Sequence, residues 1–372
     1  GGMASHGGII GGALACALLF LITRRLVPAL APAYLAALGL GVSATFWSQA
    51  IIADVYSLHA LLLFALLLLS LRAHANAAAR RDLGRAPLLA ALLAGLGLAN
   101  HWPLLLLSAP GLVLLWLPTL PQLWRRLPGM VLWFALGLLP YIWLVWRSRM
   151  DPQISFQGSL DDWREVWYFL LRRAYAGVDN NPAAGASDKL AYAVWLTRQA
   201  SSQLLLPGLA LAFAGFVVQW RCWGRLRALA LTLVFAGPTL LLLTLLDFDH
   251  DPLHREAFRV YPIAAWGMLA LWAALGFAQA LARWPGMRRP GLPAATVALL
   301  VVVALMSHWP RNNRAYDWLA HALAAQVLVS VPPGGVLFLR GDVYTGAAGY
   351  LHLVEGLRPD VTVMSENALM LT

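Results

Sequence analysis

The chain is a succession of apolar runs, each close to the length of a bilayer-crossing helix, separated by short polar breaks, and every second break is basic. The basic breaks hold Arg24 and Arg25; Arg72, Arg80, Arg81 and Arg85; Arg125 and Arg126; Arg221, Arg225 and Arg227; and Arg283, Arg288 and Arg289, which is 14 of the 27 Lys and Arg residues. The same breaks hold one acid, Asp82, out of 17 Asp and Glu. This segregation is the mark of a multi-pass membrane protein with its basic loops in the cytoplasm. Any chemistry that needs carboxylates then belongs on the opposite face.

Composition agrees. Charged residues make up 12% of the chain and mean hydropathy is +0.67, against about 25% charged in soluble domains. The net charge of +10 does not point to nucleic acid, because the arginines are scattered in pairs and triplets with no contiguous basic stripe. Two cysteines, Cys16 in an apolar run and Cys222 in a basic break, predict no disulfide and no zinc site.

The runs predict about ten transmembrane helices, at about 7–22, 28–45, 57–71, 87–100, 103–118, 129–146, 203–220, 228–246, 261–282 and 291–307. Alternation then places 46–56, 99–103, 147–202, 247–260 and the C-terminal tail outside. In the long outer segment, Asp161–Tyr175 carries acids at its start, arginines at its end and apolar residues on one face, the pattern of an amphipathic helix at the membrane surface. A second such helix is predicted at 191–205. Beyond Pro332-Pro333-Gly334-Gly335, two strand-like runs (336–339 and 361–364) flank a helical one (344–354), a βαβ unit. The expected fold is an all-α polytopic membrane domain over 1–307, followed over 308–372 by an incomplete extracytoplasmic α/β segment.

Four outer clusters hold candidate site residues. In 46–56, Asp54 is a lone carboxylate, read either as the N-cap of the third span or as a site acid, with Gln49 and Tyr56 beside it. Asn100 and His101 lie in the turn between the fourth and fifth spans, as capping residues or as contacts to an anionic group. Arg147, Arg172 and Arg173, with Tyr175, surround the amphipathic helix. They either meet its dipole and the headgroups, or grip a lipid-linked phosphate through their planar forks. The stretch 247–256 reads as a solvated polar loop, as a phosphate contact through Arg255 and Arg259, or, least favoured, as a divalent-metal site using Asp247, Asp249 and His250. Asp342 follows a strand, where small α/β sites often form. No cofactor motif is present in the sequence.

With those residues in place, the chain resembles the protein O-mannosyl-transferase family, once classed as a domain of unknown function. The stretches that carry the likeness are TFWSQAIIADVYSLHALL at 45–62, LGLANHWPLLLL at 96–107, FLLRRAYAG at 169–177 and FRVYPIAAWGMLALWAALG at 258–276. The last is the long run from YDWLAHALAAQ to RPDVTVM over 316–364. The resemblance implies an integral membrane glycosyltransferase of the GT-C architecture, a hexosyltransferase. It would move a sugar, mannose being one candidate, from a polyprenyl-phosphate donor to an acceptor such as a protein hydroxyl, on the periplasmic or extracellular face of a bacterial cytoplasmic membrane. Family members carry an earlier span and a first outer acidic loop. The expectation is therefore a fragment whose main catalytic acid lies upstream, with Asp54 in an auxiliary role. The residue-level alternatives are a transporter or flippase, disfavoured by span interiors nearly free of charge, and a scaffold whose tail binds a partner.

Overall fold

The computed structural model describes residues 2–52, 54–150, 160–173, 176, 184–245, 247–365 and 370–371. Two compact units emerge: Gly1–Pro140 with Gly177–Asn312, and Tyr141–Ala176 with Asn313–Thr372.

The first unit is helical. It contains α1 (Gly2–Leu26), α2 (Leu30–Gly41), α3 (Ala44–Ala50), α4 (Val55–Ala78), α5 (Ala86–Trp116) and α6 (Leu127–Gly137). After α7 (Leu139–Ser148) and α8 (Trp163–Leu170), the chain continues through α9 (Ala186–Cys222), α10 (Arg225–Ala236), α11 (Pro252–Phe258), α12 (Ile263–Arg283) and α13 (Leu292–Asn312). Among the described residues, seven helical segments are long and apolar enough to cross a bilayer, and α2 with α3, bent by 65°, makes an eighth. The ten expected runs are all present in these segments. The lower number arises because the fourth, fifth and sixth runs fall in one helical stretch of 63 residues, Ala86–Ser148. At 1.5 Å per residue that is about three bilayer thicknesses, and the stretch folds back. Asn100 meets Val55 at the start of α4, whereas Leu115 and Trp116 meet His74 and Ser70 near its end. Helix α5 is therefore a helical hairpin that reverses at His101.

Basic breaks gather at one end of this unit. Arg126 pairs with Asp82 at 2.6 Å, and a cavity of about 630 Å³ is lined by His74, Ala78, Arg225 and Arg227. Helix α12 is the central post: 83% of its apolar window is buried, which no other span approaches. It packs against α9 through glycines. A Cβ on Gly215 would strike the Trp272 carbonyl, and one on Gly276 would strike the Leu211 carbonyl. Gly95 and Gly137 permit the same close approach between α5 and α6. In lipid, where apolar side chains gain little by leaving their surroundings, such close backbone packing is a main source of helix association. One polar bridge reinforces it: Gln219 accepts from the Trp272 indole at 2.8 Å and donates to Thr232 at 3.1 Å, tying α9, α10 and α12.

In the second unit, α8 starts on a capping box, with Asp162 accepting from Glu165 N–H at 2.8 Å and Glu165 accepting from Asp162 N–H at 3.2 Å. The tail forms α14 (Leu319–Ser330), β1 (Val336–Leu339), α15 (Asp342–Leu353), β2 (Thr362–Ser365) and β3 (Met370–Leu371). Strands β1 and β2 are parallel, with Val336 opposite Thr362, which is the expected βαβ unit; β3 adds an antiparallel edge. Ala324, Leu328, Leu339, Leu351 and Val363 form its core. Arg358 donates to the Leu328 and Val331 carbonyls at 3.1 and 2.8 Å, a cation at the α14 C-terminus. Its hydrogen bonds hold the Asp360 carboxyl well below the usual carboxylate range.

The glycine contacts predict that Gly276→Leu lowers stability by on the order of 3 kcal/mol through forced separation of α9 and α12. Gly286→Leu, where added atoms meet open space, should leave it unchanged. Thermal unfolding of the purified protein in detergent distinguishes the two.

Candidate functional site

Three breaks in helical structure converge at the end of the first unit opposite its basic loops. The first lies between α2 and α3. Val42 caps α2, and the Ser43 hydroxyl donates to the Leu40 carbonyl at 2.8 Å. Helix α3 is then anchored on α9: Thr45 N–H donates to Gln203 Oε1 at 2.8 Å, and Gln203 Nε2 donates to Thr45 Oγ1 at 3.0 Å. The second is the α5 reversal, where His101 has φ −157° and ψ 82° and Pro103 lacks an N–H. The third is Leu205 within α9, at φ 58° and ψ 169°, two residues before Pro207. It separates the predicted amphipathic segment at 191–205 from the span that follows.

Asp54 is the N-cap of α4. Its Oδ1 accepts from Val55 N–H at 2.6 Å. The side chain is exposed, yet partial desolvation pushes its carboxyl above the usual range, with the Val55 N–H pulling the other way. Asn100 donates to the Val55 carbonyl at 3.0 Å, locking the α5 turn to the start of α4. Tyr56, His101 and Tyr261 form a triangle of rings with centroids 5.7, 5.8 and 6.2 Å apart. His59 lies one turn further along α4, with its ring 6.4 Å from that of His101. It is 1% exposed, and neither ring nitrogen has a hydrogen-bond partner among the described residues. Gln49 is buried in α3; it donates weakly to Ser48 Oγ at 3.4 Å, and its Oε1 has no such partner.

The 247–261 segment completes this end. Asp251 caps α11, accepting from His254 N–H at 2.9 Å and pairing with His254 Nδ1 at 2.7 Å. These bonds, the backbone one first, hold its carboxyl below the usual range. Arg259 pairs with Glu256 at 2.8 Å and reaches Ser48 Oγ at 3.5 Å. Arg255 turns its Nε to the Asp251 carbonyl at 3.3 Å.

Of the expected site residues, Asp54 and Tyr56 lie at the start of α4, Asn100 and His101 at the α5 reversal beside them, and Arg259, after α11, reaches Ser48 next to Gln49 in α3. Asp247 is taken by Lys189 at 2.7 Å, and the backbone of His250 donates to Asp188 at 3.2 Å. Asp249 lies between them. Among the described residues, no three His, Cys, Asp or Glu side chains are grouped to hold a metal ion. Arg147, at the end of α7, and Arg172 and Arg173, just after α8, belong to the second unit, where Arg172 takes a φ of 53°. Asp342 opens α15, and only its backbone is described. Tyr175 lies outside the described residues. Sequence reasoning missed Ser48, His59 and Tyr261. His59 had a usable signal, an ionisable residue three positions after Tyr56 inside an apolar run.

Residues 9–124 match the model of the protein O-mannosyl-transferase TMEM260 N-terminal domain. The chain is 25% identical to the mouse protein O-mannosyl-transferase TMEM260, over 96% of this chain and 52% of the mouse protein. It is 22% identical to the Dictyostelium discoideum protein O-mannosyl-transferase tmem260, over 74% of this chain and 37% of that protein. The chain thus spans about half the length of the mouse relative and less of the other. No solved structure matches.

The raised carboxyl of Asp54 carries a stability consequence. A group whose folded pKa lies above its unfolded value favours the fold while protonated, and that contribution fades as pH rises through the folded pKa. At neutral pH the Asp54 charge is then a small burden on the fold. Asn caps helices as well as Asp does. Asp54→Asn is therefore expected to melt no lower than wild type at neutral pH; a clearly lower melting temperature would mean that the carboxylate is there for the fold.

Proposed function

We propose that this chain, whose residues 9–124 match the protein O-mannosyl-transferase TMEM260 N-terminal domain, is the membrane part of a glycosyltransferase working at the acid-bearing end of the helical unit. The donor in this reading is a sugar, mannose by the relatives' names, on a polyprenyl phosphate. The acceptor is a hydroxyl, on a protein by the same names. The acid-bearing end faces away from the cytoplasm, as basic loops at the opposite end require.

The observation that carries the proposal is the convergence of Tyr56, Asn100, His101 and Tyr261 at the start of α4, which Asp54 caps, with Arg259 reaching Ser48 nearby. A carrier lipid brings its phosphate to the membrane edge, which is where these groups sit. In the transfer, the acceptor oxygen bonds to the anomeric carbon while the bond from that carbon to the phosphate oxygen breaks. The acceptor proton passes to water or to the released phosphate, which keeps the electron pair of the broken bond and so gains charge. Arg259 stabilises that charge; Glu256 and Ser48 orient its guanidinium. Asp54 has the auxiliary role of accepting hydrogen bonds from sugar or acceptor hydroxyls, with one oxygen fixed by the helix it caps. The ring triangle of Tyr56, His101 and Tyr261 offers faces for the C–H groups of a sugar. Arg255 is the second phosphate candidate. Arg147, Arg172 and Arg173 remain candidates in the second unit.

Two measurements test this. With the full-length protein and a labelled polyprenyl-phosphate mannose, Arg259→Ala is expected to lower kcat/KM by on the order of 100-fold, and Asp54→Asn by about tenfold; unchanged rates in both would remove the site. In sealed vesicles, single cysteines placed at Glu256 and at Arg81 should react with impermeant reagents from opposite sides, Glu256 from the extracytoplasmic side. Labelling of Glu256 from the cytoplasm would invert the topology.

A further inference from the structure

His308 is the residue that the site description leaves unused. It sits one turn before the end of α13, 4% exposed. Both of its ring nitrogens lie on backbone carbonyl oxygens: Nδ1 is 2.6 Å from Val42 O, and Nε2 is 2.7 Å from Ser202 O. A carbonyl oxygen only accepts, so each of these nitrogens must carry a proton. A neutral imidazole has one N–H and one lone pair. It can satisfy one carbonyl, but it then aims a lone pair at the other oxygen from within hydrogen-bonding distance. The doubly protonated ring satisfies both, with two short charge-assisted bonds.

The two carbonyls are not arbitrary. Val42 is the C-cap of α2, at the 65° bend before α3. Ser202 lies in the last turn of α9 before the break at Leu205. The final carbonyls of a helix have no intrahelical donors and carry the negative end of its dipole. At a membrane edge, water is a poor substitute. A cation between two helix C-termini answers both needs.

We propose that His308 is a positioning residue held as an imidazolium, which staples the α2–α3 bend to the α9 break and so fixes the corner that carries Ser48, Gln49 and Asp54. The neighbouring Gln203–Thr45 pair closes the same joint from the other side, and the ring beside His308, Trp309, packs edge-on against Trp47 of α3 at 6.0 Å. The charged groups on the packed elements are Arg311 on α13, Arg198 one turn before Ser202 on α9, and Arg259, which reaches Ser48 on α3. Helices α2 and α3 carry no charged residue, and Tyr34 is their only titratable side chain. Asp188, the one acid on α9, is about four turns away from Ser202. The arginines oppose the imidazolium charge, so the two carbonyls and the helix ends behind them are what hold it. That the fixed corner serves sugar transfer rests on the proposed function; the staple does not.

The test needs no transfer reaction, so its failure is separable from failure of the transferase reading. The full chain, labelled with ¹⁵N histidine and held in nanodiscs, is compared by NMR with His308→Gln, which removes the His308 signal and so assigns it. At about pH 6 to 7 the signal is expected to show both ring nitrogens protonated. A single protonated nitrogen there would overturn the proposal. In parallel, His308→Gln, whose amide is still a donor, should melt above His308→Leu, which leaves both carbonyls without one, by on the order of 3 °C; equal melting temperatures would also overturn it. Should His308→Gln fail to fold, His308→Arg, a permanent cation with two donors, takes its place in both measurements with the same expected outcomes.

Discussion

A helix that stops at the edge of a bilayer leaves carbonyl groups that water cannot be relied on to satisfy, and this protein stops three helices at the same edge. The breaks at Val42–Ser43, His101 and Leu205 create a demand for polar side chains in a region otherwise filled with leucine and alanine. Gln203, Asn100 and His308 meet it, each reaching the backbone of an element distant in sequence. The joint is therefore a network of side chains on backbone, which fixes geometry without a large polar core. Irregular backbone at membrane depth is tolerated where protein covers it or where it lines a cleft. Here the reversal at His101 lies against Tyr56 near the start of α4, the helix that Asp54 caps.

The opposite half of the helical unit has the reverse character. Its helices approach through glycine, as at Gly215 with Gly276, and it holds polar bridges such as Gln219 between Trp272 and Thr232. Close backbone contact resists sliding. The irregular end can then be held to ångström precision by a rigid lower half, which is what positioned chemistry requires. The charge pattern follows the same division. Arginines that set orientation gather at the smooth end, and carboxylates gather at the broken one.

Most of this division was legible in the sequence. All ten apolar runs are present, the chain reverses at Asn100–His101, where a turn between the fourth and fifth spans was expected, and the tail has the expected order of strand, helix and strand. The polar joints were not legible, for a physical reason. A lone Gln or His inside an apolar run has no visible partner when that partner is a backbone carbonyl or a threonine 106 to 266 residues away. Gln203 and His308 were both hidden in this way. In the Asp247–Glu256 stretch, where a metal was the least favoured of three readings, Asp247 pairs with Lys189 and Asp251 caps the α11 N-terminus.

Asp54 shows why a capping role and a chemical role need not compete. The two readings of the sequence, helix cap or site acid, look exclusive only if the carboxylate is treated as one acceptor. It has two oxygens. One is fixed by Val55 N–H at 2.6 Å, which orients the plane of the group, and the other keeps its lone pairs for a hydroxyl. Partial desolvation raises the pKa, and in the proposed auxiliary role the cap supplies orientation while the other oxygen accepts the hydroxyl. A residue chosen only to start α4 would gain nothing from that setting, because Asn or Ser caps as well without a charge to desolvate.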